Sequence, residues 1–248
     1  MSNLIYISET FCRTEAYNAA VLNCYAFRRG TDVRNGIVLS LGNMVSGYPF
    51  EIEGIRFENS ECAYIAGAFS LGTPQHLALQ HQLTVCTNAL WLRESEKRAD
   101  WESFNVEWMK FVVWQKCLGN SDFRKLLLSL PNDAVIIEDS TFQVGRTATV
   151  WGTRNDELKK RLNALRKELK AQGMCKAAIK REQDKRRLGE WATIGVFKGK
   201  NIMGKILMAC KQALEQGTEP PIDYVLLQES HINLLGKKLT FNQYVKAA

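Results

Sequence analysis

The sequence predicts an α+β fold: a single, predominantly helical domain over residues 1–248, with short strands and a basic helical hairpin inserted at 153–190. Three observations predict it. Apolar residues alternate with polar ones in Phe50-Glu51-Ile52 and Ile55-Arg56-Phe57, the period of short, half-buried strands. In Trp101, Phe104, Trp108, Phe111 and Val112 they recur instead at three- and four-residue spacing, the period of a helix with one buried face. Residues 156–190 change texture to Lys, Arg, Glu, Leu and Ala, with Leu158, Leu162, Leu165 and Leu169 in one stripe and Gly173 as a break, the pattern of two helices folded back on each other.

The elements follow in order. Residues 4–8 and 37–41 read as strands around a segment, Thr14 to Arg28, that reads as helical. Glu53-Gly54 separates the two alternating runs by the two residues that a primed hairpin turn needs. Ser60 then reads as an N-cap and Glu61 as the first residue of the next helix, where the positive end of the helix dipole favours an ionised carboxylate. Thr73-Pro74 starts a helix directed towards Arg98. Asp100 caps the aromatic helix, and another helix begins at Asp122 and stops at Pro131-Asn132-Asp133. Ala134 to Glu138 reads as a buried strand, Asn201 to Gln216 as a helix stopped by Gly217, and Asp223 to Leu227 as a final strand.

Composition sets bounds on function. At 248 residues and 46% hydrophobic content, the chain can bury a full core. No apolar run approaches the roughly 20 residues that span a bilayer, so the expectation is a cytoplasmic protein with no membrane partner. Seven cysteines, widely spaced and without a Cys-x-x-Cys pair, suit free thiols and make a zinc site an unpromising reading. Twelve Lys or Arg and six Asp or Glu fall in residues 156–190, so +6 of the net +7 is concentrated there. Its densest part is Lys180, Arg181, Lys185, Arg186 and Arg187. Two readings stand for this segment: a solvated helical pair of mixed charge, or a clamp on the phosphates of DNA or RNA.

Four segments occur in an order that resembles the NADAR or YbiA-like family: Pro49 to Phe69 with its Ser60-Glu61 pair, Asp100-Trp101-Glu102-Ser103, Trp151-Gly152, and Gly199-Lys200-Asn201-Ile202-Met203-Gly204-Lys205-Ile206-Leu207-Met208. The likeness covers residues 36 to 216 apart from the basic insertion. It implies an N-glycosidase that cuts the bond between a ribose C1′ and a nitrogen, acting on ADP-ribosyl-guanine in nucleic acid or on a related nucleotide. It implies no metal or redox cofactor. Cleavage of C1′–N builds positive charge on the sugar, and a fixed carboxylate both stabilises that charge and deprotonates water. By the resemblance this is Glu61. Trp151 and Trp101 hold the leaving base by stacking, with Gly152 beside the first, while Asn43 and Asn201 orient sugar and phosphate.

The chain also departs from the family pattern. Where the family carries His, Gln and Lys after its Ser-Glu pair, this chain has Cys62, Ile65 and Ala68, and Ala148 stands where an Asp precedes the Trp-Gly. Positions 61, 65 and 68 share a helix face, so the expected polar neighbours of the carboxylate are apolar. The alternative reading is therefore a catalytically inactive module that binds ADP-ribose or nucleic acid. From residues alone, Glu61 also reads as a first-turn glutamate that complements the dipole, and Trp101 and Trp108 as core. His76, His81 and His231 support neither a metal site nor a triad.

Overall fold

The computed structural model describes residues 11–83 and 96–242. The expected strand at 4–8, and the Thr73 helix beyond Leu83 as far as 95, lie outside them. In chain order the elements are β1 (Glu15–Asn18), β2 (Cys24–Phe27), β3 (Val33–Arg34), β4 (Ile37–Val38), β5 (Phe50–Ile52), β6 (Ile55–Phe57), α1 (Ser60–Ala68), α2 (Pro74–Leu83), α3 (Trp101–Gly119), α4 (Ser121–Leu128), β7 (Val135–Glu138), a 3₁₀ turn (Arg146–Thr149), α5 (Asp156–Ala171), α6 (Lys176–Leu188), β8 (Val196–Gly199), α7 (Ile202–Gln216), α8 (Tyr224–Glu229), β9 (Asn233–Leu234) and β10 (Lys237–Lys238). The fold is mixed α+β, with helices outweighing small two-stranded sheets. None of the described helices is long and apolar enough to cross a membrane. The chain divides into two compact units, Met1–Gly42 with Leu126–Lys211, and Asn43–Lys125 with Gln212–Ala248.

In the first unit β1 pairs antiparallel with β8, and β2 pairs parallel with β7. Residues 14–28 therefore form two strands, not the expected helix. The Asn18 side chain accepts from the Ala20 amide, and its carbonyl accepts from Val21 and Leu22, so an Asx-type turn breaks the segment where its alanines suggest continuity. Tyr17, Ala19, Cys24, Val135, Ile137, Leu158, Leu162 and Phe197 form one core cluster. Two of these leucines come from α5, and Leu169 is buried as well. The expected helical hairpin is thus present as α5 and α6, with Gly173 at φ +81° between them, and the apolar edge of α5 is built into the core.

α6 is fixed by charge. Arg187 is buried, with its guanidinium on the Asp32 carboxylate and 3.5 Å from Asp139, while Asp184 bonds Arg28 at 2.7 Å and Arg29 at 2.6 Å. Burial and the neighbouring Arg187 lower the pKa of Arg28.

In the second unit the β5–β6 hairpin pairs Phe50 with Phe57 and Ile52 with Ile55, as the alternation predicts. Glu53 and Gly54 both take positive φ, +51° and +79°, the signature of a type I′ turn. α1 packs on α3 at Gly67, where an added Cβ would run into the Trp108 indole. That indole donates to the carbonyls of Ala63 at 3.1 Å and Tyr64 at 3.2 Å. Gly67→Ala is accordingly expected to destabilise by about 1–3 kcal/mol, read as a lowered urea midpoint at unchanged slope. A midpoint equal to wild type would show that the two helices part without cost.

Asp100 does precede α3, but its carboxylate makes no cap bond to the helix. Both of its oxygens are taken by Arg98 at 2.6 Å, which also lowers its pKa. The expected strand at Asp223–Leu227 is instead the start of α8, because the Asp223 side chain accepts from the Leu226 amide and so acts as an N-cap.

Candidate functional site

Glu61 lies in the first turn of α1, but one position further in than expected. The cap is Asn59, whose side chain accepts from the Cys62 amide at 3.0 Å, which makes Ser60 the first helical residue. Its hydroxyl is free to face another partner, Lys116 of α3, whose ammonium donates to Ser60 Oγ at 3.3 Å. The Glu61 amide donates to the Asn43 carbonyl at 3.1 Å. The structure therefore brings Asn43 and Glu61 together within the second unit. Asn43 has a side-chain amide 3.5 Å from Met109 Sδ, and its Oδ1 is a buried acceptor without a hydrogen bond.

All nine residues of α1 are buried, including Glu61 at 8% exposure. Burial pushes the Glu61 carboxyl up to about 7, against a smaller opposing pull from Lys97. The dipole argument alone expects the reverse, an acid held in its ionised range. Desolvation wins because α1 offers the carboxylate little polar company: Ile65 and Ala68, one and two turns on, are buried apolar residues. A carboxyl of this kind exists in both protonation states near neutral pH.

Trp101 is also in this unit, buried against Tyr64 at 4.9 Å and edge-on to Phe104 at 5.3 Å between ring centroids. This is a packing position, matching the core reading of its spacing rather than an open stacking face. Trp108 is fully buried.

Trp151, Gly152 and Asn201 lie together in the first unit. Asn201 has φ +51°, an uncommon conformation for a residue with a side chain, and its amide is spent on β7: Oδ1 accepts from the Glu138 amide at 3.0 Å and Nδ2 donates to the Ile136 carbonyl at 2.8 Å. The backbone amides of Asn201, Ile202 and Met203 then donate to the carbonyls of Gly152, Val150 and Trp151. Gly152 is required because a Cβ there would meet Ser140 Oγ and the Glu138 carbonyl, and Gly204 because a Cβ would meet the Ile136 carbonyl. The Trp-Gly and Gly-x-Asn-x-x-Gly segments thus form one close-packed corner that fixes the Trp151 backbone. The Trp151 side chain is half-buried.

Asp139, an acid near this corner, is buried and committed to the Thr141 amide and to Arg187. Of the basic residues picked out on α6, Arg187 is buried in its carboxylate cluster and Arg186 bonds Glu182 and Glu190. These two are corrected from phosphate contacts to internal ones. Lys180, Arg181 and Lys185 are exposed.

No family model matches the chain, and no curated protein matches it either.

The sequence reading missed Lys116, whose ammonium is fully buried, 3.9 Å from the Phe123 ring centroid and 5.3 Å from that of Tyr48. Burial pushes its amine down to about 7. The signal was present: 108, 112 and 116 continue one helix face, so a lysine stands on the aromatic stripe. Among the described residues no group of His, Cys, Asp or Glu could hold a metal ion.

Proposed function

We propose that the chain is an N-glycosidase of the NADAR type that hydrolyses the C1′–N bond of a ribosylated nucleobase, with ADP-ribosyl-guanine in nucleic acid or a related nucleotide as substrate. The observation that carries this reading is the placement of Glu61: a carboxyl in the buried first turn of α1, pushed up to about 7 by that burial, with its backbone amide on the carbonyl of Asn43, whose Oδ1 makes no hydrogen bond.

In this mechanism ionised Glu61 faces the C1′ side of the sugar and stabilises the positive charge that grows as the C1′–N bond stretches. It takes a proton from the attacking water. The oxygen of that water bonds to C1′, the bond electrons leave with the nitrogen, and the nitrogen is protonated from solvent. Asn43 Oδ1 accepts from a sugar hydroxyl. Within the same unit Trp101 supports Tyr64, while in the first unit the Asn201 amide is spent on β7.

Incubation with an ADP-ribosylated guanine oligonucleotide, and separately with a ribosylamino-pyrimidine phosphate, tests the reading. The expected result is release of free sugar from one of them. Binding of either compound without release removes the enzyme and leaves a binding module; neither binding nor release removes both.

A further inference from the structure

The cations of the insertion are sorted by face in a way that composition hides. With about 100° between successive residues of a helix, Lys159, Lys160, Arg166, Lys167 and Lys170 of α5 fall in one arc of roughly 120°. The acids Glu157 and Glu168 lie on another face with Arg161, which bonds Glu157 at 3.1 Å. Within the basic arc the sole acid is Asp156, in the first turn. Lys160, Arg166, Lys167 and Lys170 are exposed, and no carboxylate pairs with them among the described residues. The apolar edge of α5, Leu158, Leu162 and Leu169, is turned into the core of its own unit.

We infer that this α5 stripe is a nucleic-acid backbone tract, binding successive phosphates of one strand. Charge complementarity names the occupant. The stripe runs from residue 159 to 170, about 16 Å at ~1.5 Å per residue, the axial length of roughly five phosphates on one strand at ~3.4 Å each. An anionic membrane is the poorer fit, because interfacial helices place an apolar face in the acyl boundary and that face of α5 is already used. The tract also differs from the α6 cluster that the sequence suggests, where Arg186 and Arg187 are bound internally. Ligand contact is through phosphate, so binding is general in sequence and falls steeply with salt.

The inference rests on the nucleic-acid form of the proposed substrate, but it is tested apart from turnover, on oligonucleotides that carry no ribosylated base. Fluorescence anisotropy of a labelled oligonucleotide, single-stranded and duplex, is measured over a salt series for wild type and for Lys160→Ala/Arg166→Ala/Lys167→Ala/Lys170→Ala. A second variant removes equal charge elsewhere, Arg56→Ala/Lys125→Ala/Lys237→Ala/Lys238→Ala. All four of those residues are exposed. Far-UV circular dichroism and thermal melting check the fold of both. The stripe variant is expected to lose at least tenfold in affinity at low salt, with the log–log salt slope reduced by about 3 to 4, while the second variant stays within about twofold of wild type. Equal losses in both variants, an unchanged slope in the stripe variant, or binding only to vesicles containing phosphatidylserine would each overturn it.

Discussion

Glu61→Gln is expected to lower kcat by about a thousandfold while leaving substrate affinity within a few-fold of wild type. Glutamine keeps the size of the side chain, and the Glu61 backbone amide stays on the Asn43 carbonyl, so the site keeps its shape. What disappears is the charge that develops its full value only as the sugar becomes cationic, together with the base that receives the proton from water. The wild-type pH profile carries the same information. Since burial raises the Glu61 carboxyl to about 7 and the mechanism uses its ionised form, kcat/KM should climb about tenfold per pH unit below that value and level off above it. A flat profile between acid and neutral pH, or turnover by the Gln variant at the wild-type rate, would remove Glu61 from the chemistry.

The second large effect concerns stability, and it sets Glu61 and Lys116 against each other. For Glu61 the folded value, about 7, is above the ordinary 4.5. Between those values the folded chain holds more proton than the unfolded one, so this contribution to stability is complete below 4.5 and is lost as pH rises through 7. For Lys116 the folded value, about 7, is below the ordinary 10.5. Between those values the unfolded chain holds more proton, so stability rises with pH through that window. The two groups together produce a minimum near neutral pH. Lys116→Met, which fills the space between Phe123 and Tyr48 without a buried charge, is expected to raise stability at pH 7 by about 1–4 kcal/mol and to abolish the alkaline rise. Urea unfolding across pH reads both limbs, and Glu61→Gln should flatten only the acidic one. A Met variant that is less stable than wild type at pH 7 and still gains stability towards alkaline pH would contradict this account.

Much of the architecture was legible because it follows local rules. The β5–β6 hairpin and its turn, the α3 face, the two helices of the insertion and the Gly217 stop each rest on periodicity or on a residue with one conformational use. The failures share a cause. Residues 14–28 have the side-chain character of a helix and 223–227 that of a strand, but single polar groups, Asn18 and Asp223, decide the backbone path through hydrogen bonds that periodicity does not register. The cap of α1 shifted from Ser60 to Asn59 for the same reason, and Ser60 then served Lys116. At the candidate site the sequence points to Glu61 and to the apolar Ile65 and Ala68 beside it, whereas the extent of its desolvation depends on the burial of the whole of α1. The Asn201 amide, which the sequence offers to a ligand, is consumed by the fold on β7.

The manner in which α5 and α6 are held has a practical corollary for anyone trimming the chain. A deletion of residues 156–190 designed to leave a minimal domain would not detach an appendage. It would strip Leu158 and Leu162 from the cover of Tyr17 and Phe197, and leave the Asp32 and Asp139 carboxylates facing each other's surroundings without Arg187. Changes to this segment should therefore be confined to side chains on the outer face of the hairpin, with its inner face kept whole.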